Sequence, residues 1–112
     1  MNFSILINAN QNWQHSLSQA LSVVQLMNQQ GHGVSAVFFY GQAINVLKHP
    51  ELLSAWQDWQ SQTQAKLMMC RTLLEDQAEA LATAEQTPGF TPVGMASWLS
   101  ALESSEKTLE LT

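Results

Sequence analysis

Apolar residues recur along the chain in two alternating rhythms. Phe3 to Ile7 is a compact apolar run closed by Asn8-Ala9-Asn10, the pattern of a buried strand followed by a turn. Trp13, Leu17, Leu21, Val24 and Met27 then fall at steps of four, four, three and three. That spacing puts them on one face of a helix whose other faces carry glutamine, asparagine and serine. Gly31-His32-Gly33 ends the helix, since glycine accepts the left-handed conformation that follows a helix C-terminus.

Val34 to Phe39 predicts a second strand, closed by Tyr40-Gly41. Strand, helix and strand in succession imply a parallel pair with a right-handed crossover. A short helix over Gln42 to Leu47 ends before His49-Pro50, because a residue preceding proline avoids the α region. Pro50 suits the first turn of the next helix, in which Leu52, Leu53, Trp56 and Trp59 form an apolar side through to about Gln64. Ala65 to Cys70 predicts the third strand.

Arg71 to Glu85 reads as one helix, with Leu73, Leu74, Ala78, Leu81 and Ala82 inward and Glu75, Asp76, Glu79 and Glu85 solvated. Thr87-Pro88-Gly89 is a turn. Thr91-Pro92 predicts the start of a last helix, with Met95, Trp98, Leu99 and Leu102 facing inward. Lys107 to Leu111 alternates and suits a final edge strand. Strands alternating with helices predict one domain over residues 1–112, a three-layer α/β/α sandwich around a mainly parallel sheet of four to five strands.

Composition narrows the functions open to such a fold. Of 112 residues, 46% are hydrophobic and 12% charged, about half the usual ~25% charged fraction. A surface so rich in neutral polar groups costs little to desolvate, which favours shared interfaces. The basic residues are only Lys48, Lys66, Arg71 and Lys107, scattered singly, against a net charge of −5. Nucleic-acid binding needs clustered Lys and Arg, so direct contact with nucleic acid is excluded. The N-terminal run lacks a positive flank and is too short for a signal peptide. No stretch approaches the roughly 18–20 apolar residues of a membrane span. These features predict a soluble, cytoplasmic protein.

Candidate chemistry is sparse. His15, His32 and His49 share no ligand spacing and the chain has no CxxC, so no metal is expected. Asn8-Ala9-Asn10-Gln11-Asn12 lacks the glycines of a dinucleotide or P-loop site, and no cofactor is expected. In parallel sheets reactive groups gather beyond the carboxyl ends of strands. Tyr40-Gly41 ends the second strand there and Cys70, the single cysteine, ends the third. A thiol directly before a helix meets unpaired N–H groups and the positive end of the dipole, which favour thiolate, provided that the sulfur is exposed. Arg71 adds positive charge if it folds back. The four tryptophans occupy apolar helix positions, and Trp56 and Trp59 are the first candidates for a subunit contact.

Three blocks in order carry a family resemblance. They are Gly31-His32 through Phe38-Phe39-Tyr40-Gly41, then Trp56 through Leu67-Met68-Met69-Cys70, then Gly89-Phe90-Thr91 with Gly94 and a short last strand. In these the chain resembles the DsrE-type sulfur-relay proteins, most of all their TusD branch. Gln42 after Gly41, Leu74-Glu75-Asp76 and Asn8-Ala9-Asn10 depart from the family's pattern.

The resemblance implies a DsrE-like fold, flavodoxin-like in general layout, with Cys70 carrying a persulfide and Tyr40, Gly41 and Arg71 around its pocket. It implies an upstream sulfur-carrier protein, a downstream acceptor cysteine protein, and a route ending in transfer-RNA 2-thiouridine. It also implies oligomers, trimers or hexamers, of same-fold subunits, either homomeric or with sister chains. Persulfide exchange needs no second cysteine in the same chain, because the partner thiol arrives from another protein. Two other roles remain open: a non-catalytic subunit that completes an oligomer around a buried, inert Cys70, and a small-ligand module using the strand-end cleft.

Overall fold

The computed structural model describes residues 2–77 and 79–112. Five parallel strands form one sheet: β1 (Asn2–Ala9), β2 (Gly33–Gly41), β3 (Lys66–Cys70), β4 (Phe90–Val93) and β5 (Lys107–Leu111), in the order β4-β3-β2-β1-β5. The helices are α1 (Trp13–Gln29), α2 (Pro50–Thr63), α3 (Arg71–Glu75), α4 (Ala80–Gln86) and α5 (Met95–Glu103), with a 3₁₀ segment at Gln42–Lys48. The architecture is the predicted three-layer sandwich.

Topology makes the two helical layers unequal. The chain steps from β1 to β4 in one direction, so right-handed crossovers keep the connecting helices on one face. The return from β4 to β5 runs the other way and puts α5 on the opposite face. Side-chain parity follows this division. Ile5, Ile7, Val37, Phe39, Leu67, Met69 and Phe90 pack with Leu17, Leu21, Val24, Trp56 and Leu74 in the main core. Ala36, Phe38, Met68 and Cys70 form a smaller core under Trp98 of α5. A strand buried on both faces reads as a nearly continuous apolar run, which is why Val34 to Phe39 shows no alternation. A bulge opposite Phe3/Ser4 puts Val34 on the same side as Val37, and the Ser35 hydroxyl donates to the Phe3 carbonyl at 3.3 Å.

The α1 periodicity is realised: Leu17, Leu21 and Val24 are buried and Trp13 and Met27 half-buried. Its end is a Schellman arrangement around Gly31 (φ 86°), with Gly31 N donating to Asn28 O and His32 N to Met27 O. The His32 ring stands edge-on to Phe3 at 5.7 Å, and its Nδ1 is buried without a hydrogen-bond partner among the described residues. Pro50 opens α2 as predicted, capped by His49, whose Nδ1 accepts from Leu52 N at 3.2 Å.

Trp56 and Trp59 are not available for a subunit contact. Trp56 is fully buried, with its ring at 5.1 Å from Phe39 and 5.7 Å from Trp59. Trp59 donates its indole N–H to Asn28 Oδ1 at 2.8 Å. Both tryptophans bind α2 to the rest of the core.

Three expectations for the C-terminal half are corrected. The helix over Arg71 to Glu85 is two helices, and Glu79 between them takes a left-handed φ of 64°. Leu74 and Ala84 are both buried, yet on one continuous helix ten residues would turn them about 80° apart. The break re-aims α4; Ala82 is exposed, and Ala78 lies outside the described residues. Thr91-Pro92 opens no helix but sits inside β4, where Pro92 is tolerated because the strand is an edge. The last helix starts at Met95, and only Trp98 is buried on it; Met95 and Leu99 are each 51% exposed. Leu99 lies about 100° round the helix from Trp98 and so misses the sheet.

Candidate functional site

β3 runs Lys66-Leu67-Met68-Met69-Cys70, with Leu67 and Met69 under the thick helical layer and Met68 and Cys70 under α5. Cys70 is both the last residue of β3 and the N-cap of α3, at φ −65° and ψ 111°. It pairs with Val93 of β4. Around it gather Phe38 and Tyr40 from β2, Met68, Leu73 from α3, and Trp98. Phe38 stacks on the Trp98 indole at 5.0 Å and 20°, and Tyr40 lies 6.2 Å from Phe38.

The thiol is thus at the predicted strand end but is covered. Cys70 is 8% exposed, and every side chain of its cluster is apolar or aromatic. None of the three histidines belongs to that cluster. The helix ahead of Cys70 has five residues, a little over one turn, so the backbone groups in front of the sulfur come from a short element. Among the described residues no group of His, Cys, Asp and Glu could hold a metal ion.

The other proposed pocket residues divide. Tyr40 is half-buried and packs into the Cys70 cluster. Gly41 serves the backbone instead: at φ 62° a Cβ there would stand 2.6 Å from Ala9 O and 2.9 Å from Asn8 Oδ1. The carboxyl ends of β1 and β2 therefore close on each other only because position 41 has no side chain. Arg71 is exposed and is not part of the cluster around Cys70.

Sequence reasoning missed the larger concavities. A groove of about 730 Å³ runs beside α5, lined by Ser97, Ser100 and Ser104 on one wall and by Met68, Thr91 and Val93 on the other. It takes in Val93, the register partner of Cys70, but Cys70 itself is not part of its lining. The spacing of Ser97, Ser100 and Ser104 by three and four is the signal that marks this wall in the sequence. A second groove of about 550 Å³ lies between α1 and the end of β5. No described helix is long and apolar enough to cross a membrane.

No family model matches the chain. Among solved structures, the chain is similar to a conserved protein of unknown function from Bacteroides thetaiotaomicron, at a TM-score of 0.63 and 13% identity over 97% of this chain and 93% of that one. At that identity the likeness shows a shared fold.

Proposed function

We propose that this is a sulfur-relay protein of the DsrE type, in which Cys70 receives and passes on a persulfide sulfur. One observation carries the reading. The first two sequence blocks behind the resemblance lie far apart in the chain, and the fold brings Phe38 and Tyr40 of one together with Met68 of the other around one thiol, Cys70, at a strand's carboxyl end. In the transfer, the Cys70 thiolate attacks the outer sulfur of a donor persulfide. The donor's S–S bond breaks, the donor cysteine leaves as thiolate, and the sulfur remains on Cys70. An acceptor thiolate then attacks that outer sulfur and releases Cys70 unchanged, with no net oxidation. The setting that suits a lone thiol of this kind is the reducing cytoplasm. Donor and acceptor are cysteine-bearing carrier proteins, same-fold subunits complete the assembly, and thiolated transfer RNA is the destination.

Incubating the protein with a persulfide donor and weighing it intact tests the reading. The expected result is one added sulfur, absent in Cys70→Ser. No adduct from a donor that loads a control thiol would overturn it.

The cover over Cys70 favours a second reading, a non-catalytic subunit whose buried thiol packs the smaller core. Iodoacetamide separates the two. A relay thiol is alkylated in the native state, whereas a packing thiol reacts only after unfolding.

A further inference from the structure

We infer that residues 94–105, α5 with its flanking turns, form a lid that detaches and unwinds while the sheet stays folded, and that Cys70 is reached through this opening. The inference rests on the relay reading for its purpose, since a closed lid keeps a persulfide's outer sulfur from water and from stray thiols. The tethers on either side of the lid are firm. Val93 pairs with Cys70 across β4 and β3. Glu106 N donates to Asn2 O at 3.0 Å, and Asn2 N donates to Glu106 Oε1 at 3.1 Å.

Between those tethers little holds the segment down. Trp98 is the one buried residue of α5, with Ala101 and Leu102 half-buried against the same cluster. Among the described residues a single hydrogen bond joins α5 to the sheet. It runs from the Ser4 hydroxyl to Ala101 O, and at 3.4 Å it is longer than O–H···O bonds usually are. The hydroxyls of Ser104 and Ser105 donate to Ala101 O and Leu102 O and so stay within the segment. The Ser97, Ser100 and Ser104 side borders the open groove. At Gly94 nothing lies within 4 Å of where a Cβ would stand. Segments with so few buried apolar contacts open at the low end of a protein's range of free energies.

The nine residues of α5 are too few to stay helical alone, because isolated helices shorter than about 12–15 residues are marginal in water. Loss of the Trp98 anchor therefore unwinds α5 instead of swinging it aside as a rigid rod. The contrast with α2 is direct. Its Trp56 and Trp59 are both buried, and the Trp59 indole is bonded to Asn28 of α1. Opening at α5 leaves β3 paired with β2 and β4, so the sulfur stays at its strand end while its cover leaves.

The test labels Cys70 of the whole chain with iodoacetamide under native conditions in which the rate is proportional to reagent concentration. The urea dependence of that rate should be less than about half that of global unfolding, because only one short element exposes its surface. Exposed Ser100 of α5 and exposed Gln25 of α1 then locate the opening. Ser100→Gly should label about fivefold faster than Ser100→Ala, the difference between glycine and alanine inside a helix. Gln25→Gly and Gln25→Ala should label alike, although that pair differs in global stability. Equal rates for the Ser100 pair overturn the proposal. So does a fivefold split at Gln25, or labelling no faster than global unfolding. A persulfide donor separates the lid from the relay itself. No adduct alongside the Ser100 split removes the relay and leaves the lid, whereas an adduct in a chain that labels only on global unfolding removes the lid and leaves the relay.

Discussion

Replacing Trp98 by alanine removes the side chain that closes the smaller core. Trp98 is 4% exposed and stacks on Phe38 at 5.0 Å, within a cluster that includes Cys70. A buried tryptophan covers roughly 200 Å², which at about 25 cal/mol per Å² corresponds to ~5 kcal/mol. That figure is an upper bound, because denatured chains already bury part of this surface. The site also relaxes more easily than a sealed core, since α5 leaves Met95 and Leu99 each 51% exposed. The expected loss is therefore about 3 kcal/mol, the low end for a large aromatic truncated to alanine. For a chain of this length the midpoint of thermal unfolding should fall by on the order of 10 °C.

Urea unfolding followed by far-ultraviolet circular dichroism measures the loss, and iodoacetamide labelling under native conditions measures the cover over Cys70. Alkylation of Cys70 should accelerate at least tenfold in Trp98→Ala. Trp98→Phe, which keeps an aromatic ring over Phe38, should change the rate far less. A loss below about 1 kcal/mol together with an unchanged alkylation rate would refute the reasoning. In that case something other than α5 shields the thiol.

Three further changes probe the frame around the site. Asn28 accepts from the Trp59 indole at 2.8 Å and donates to His32 O at 3.2 Å, so Asn28→Ala orphans a buried N–H and should cost about 1–3 kcal/mol in chemical unfolding; Asn28→Asp keeps the acceptor and should lose less. Gly41→Ala meets Ala9 O at 2.6 Å with φ at 62°, and a loss of more than about 2 kcal/mol is expected, measured by thermal unfolding. Gln64 ends α2 in the left-handed conformation at φ 62°, so Gln64→Gly relieves strain and should raise stability by roughly 0.5 kcal/mol once glycine's extra chain entropy is counted, read as a higher unfolding midpoint. A fall in the midpoint would show that the Gln64 side chain, whose Nε2 donates to Ser61 O at 2.9 Å, outweighs the strain.

What could be read in the sequence was whatever local chemistry decides. The period of α1, the Gly31 stop, the Pro50 start and the apolar run of β2 each follow from residues a few positions apart, and each is realised. The misreadings lie where tertiary contacts override local pattern. Arg71 to Glu85 has good helical composition throughout, yet Leu74 and Ala84 both reach the core only if the helix breaks near Glu79. Thr91-Pro92 has the chemistry of a helix start, but pairing with Met68 and Met69 makes it a strand. Trp56 and Trp59 fit an interface anchor as well as a core residue, and only the Phe39 and Asn28 partners decide between them. The position of Cys70 at a strand end was legible; its cover by Trp98, a residue of a distant helix, was not.

That cover follows from the direction of a single connection. Four strands laid down in one sense commit their crossovers to one face, and a fifth strand at the far edge commits the last crossover to the other. The second face is then guarded by one helix of nine residues with a single buried tryptophan. Alternation along β3 assigns Met69 to the thick layer and Cys70 to the thin one, so a shift of one residue would seal the sulfur beneath the thick helical layer. A thiol beneath α5 is separated from solvent by the least material this fold provides. For the relay proposed above, in which Cys70 would meet a partner's cysteine, that is the face on which the smaller displacement is needed. The native alkylation rate of Cys70 should therefore depend on Trp98 far more than on Trp56, which covers the opposite face of the sheet.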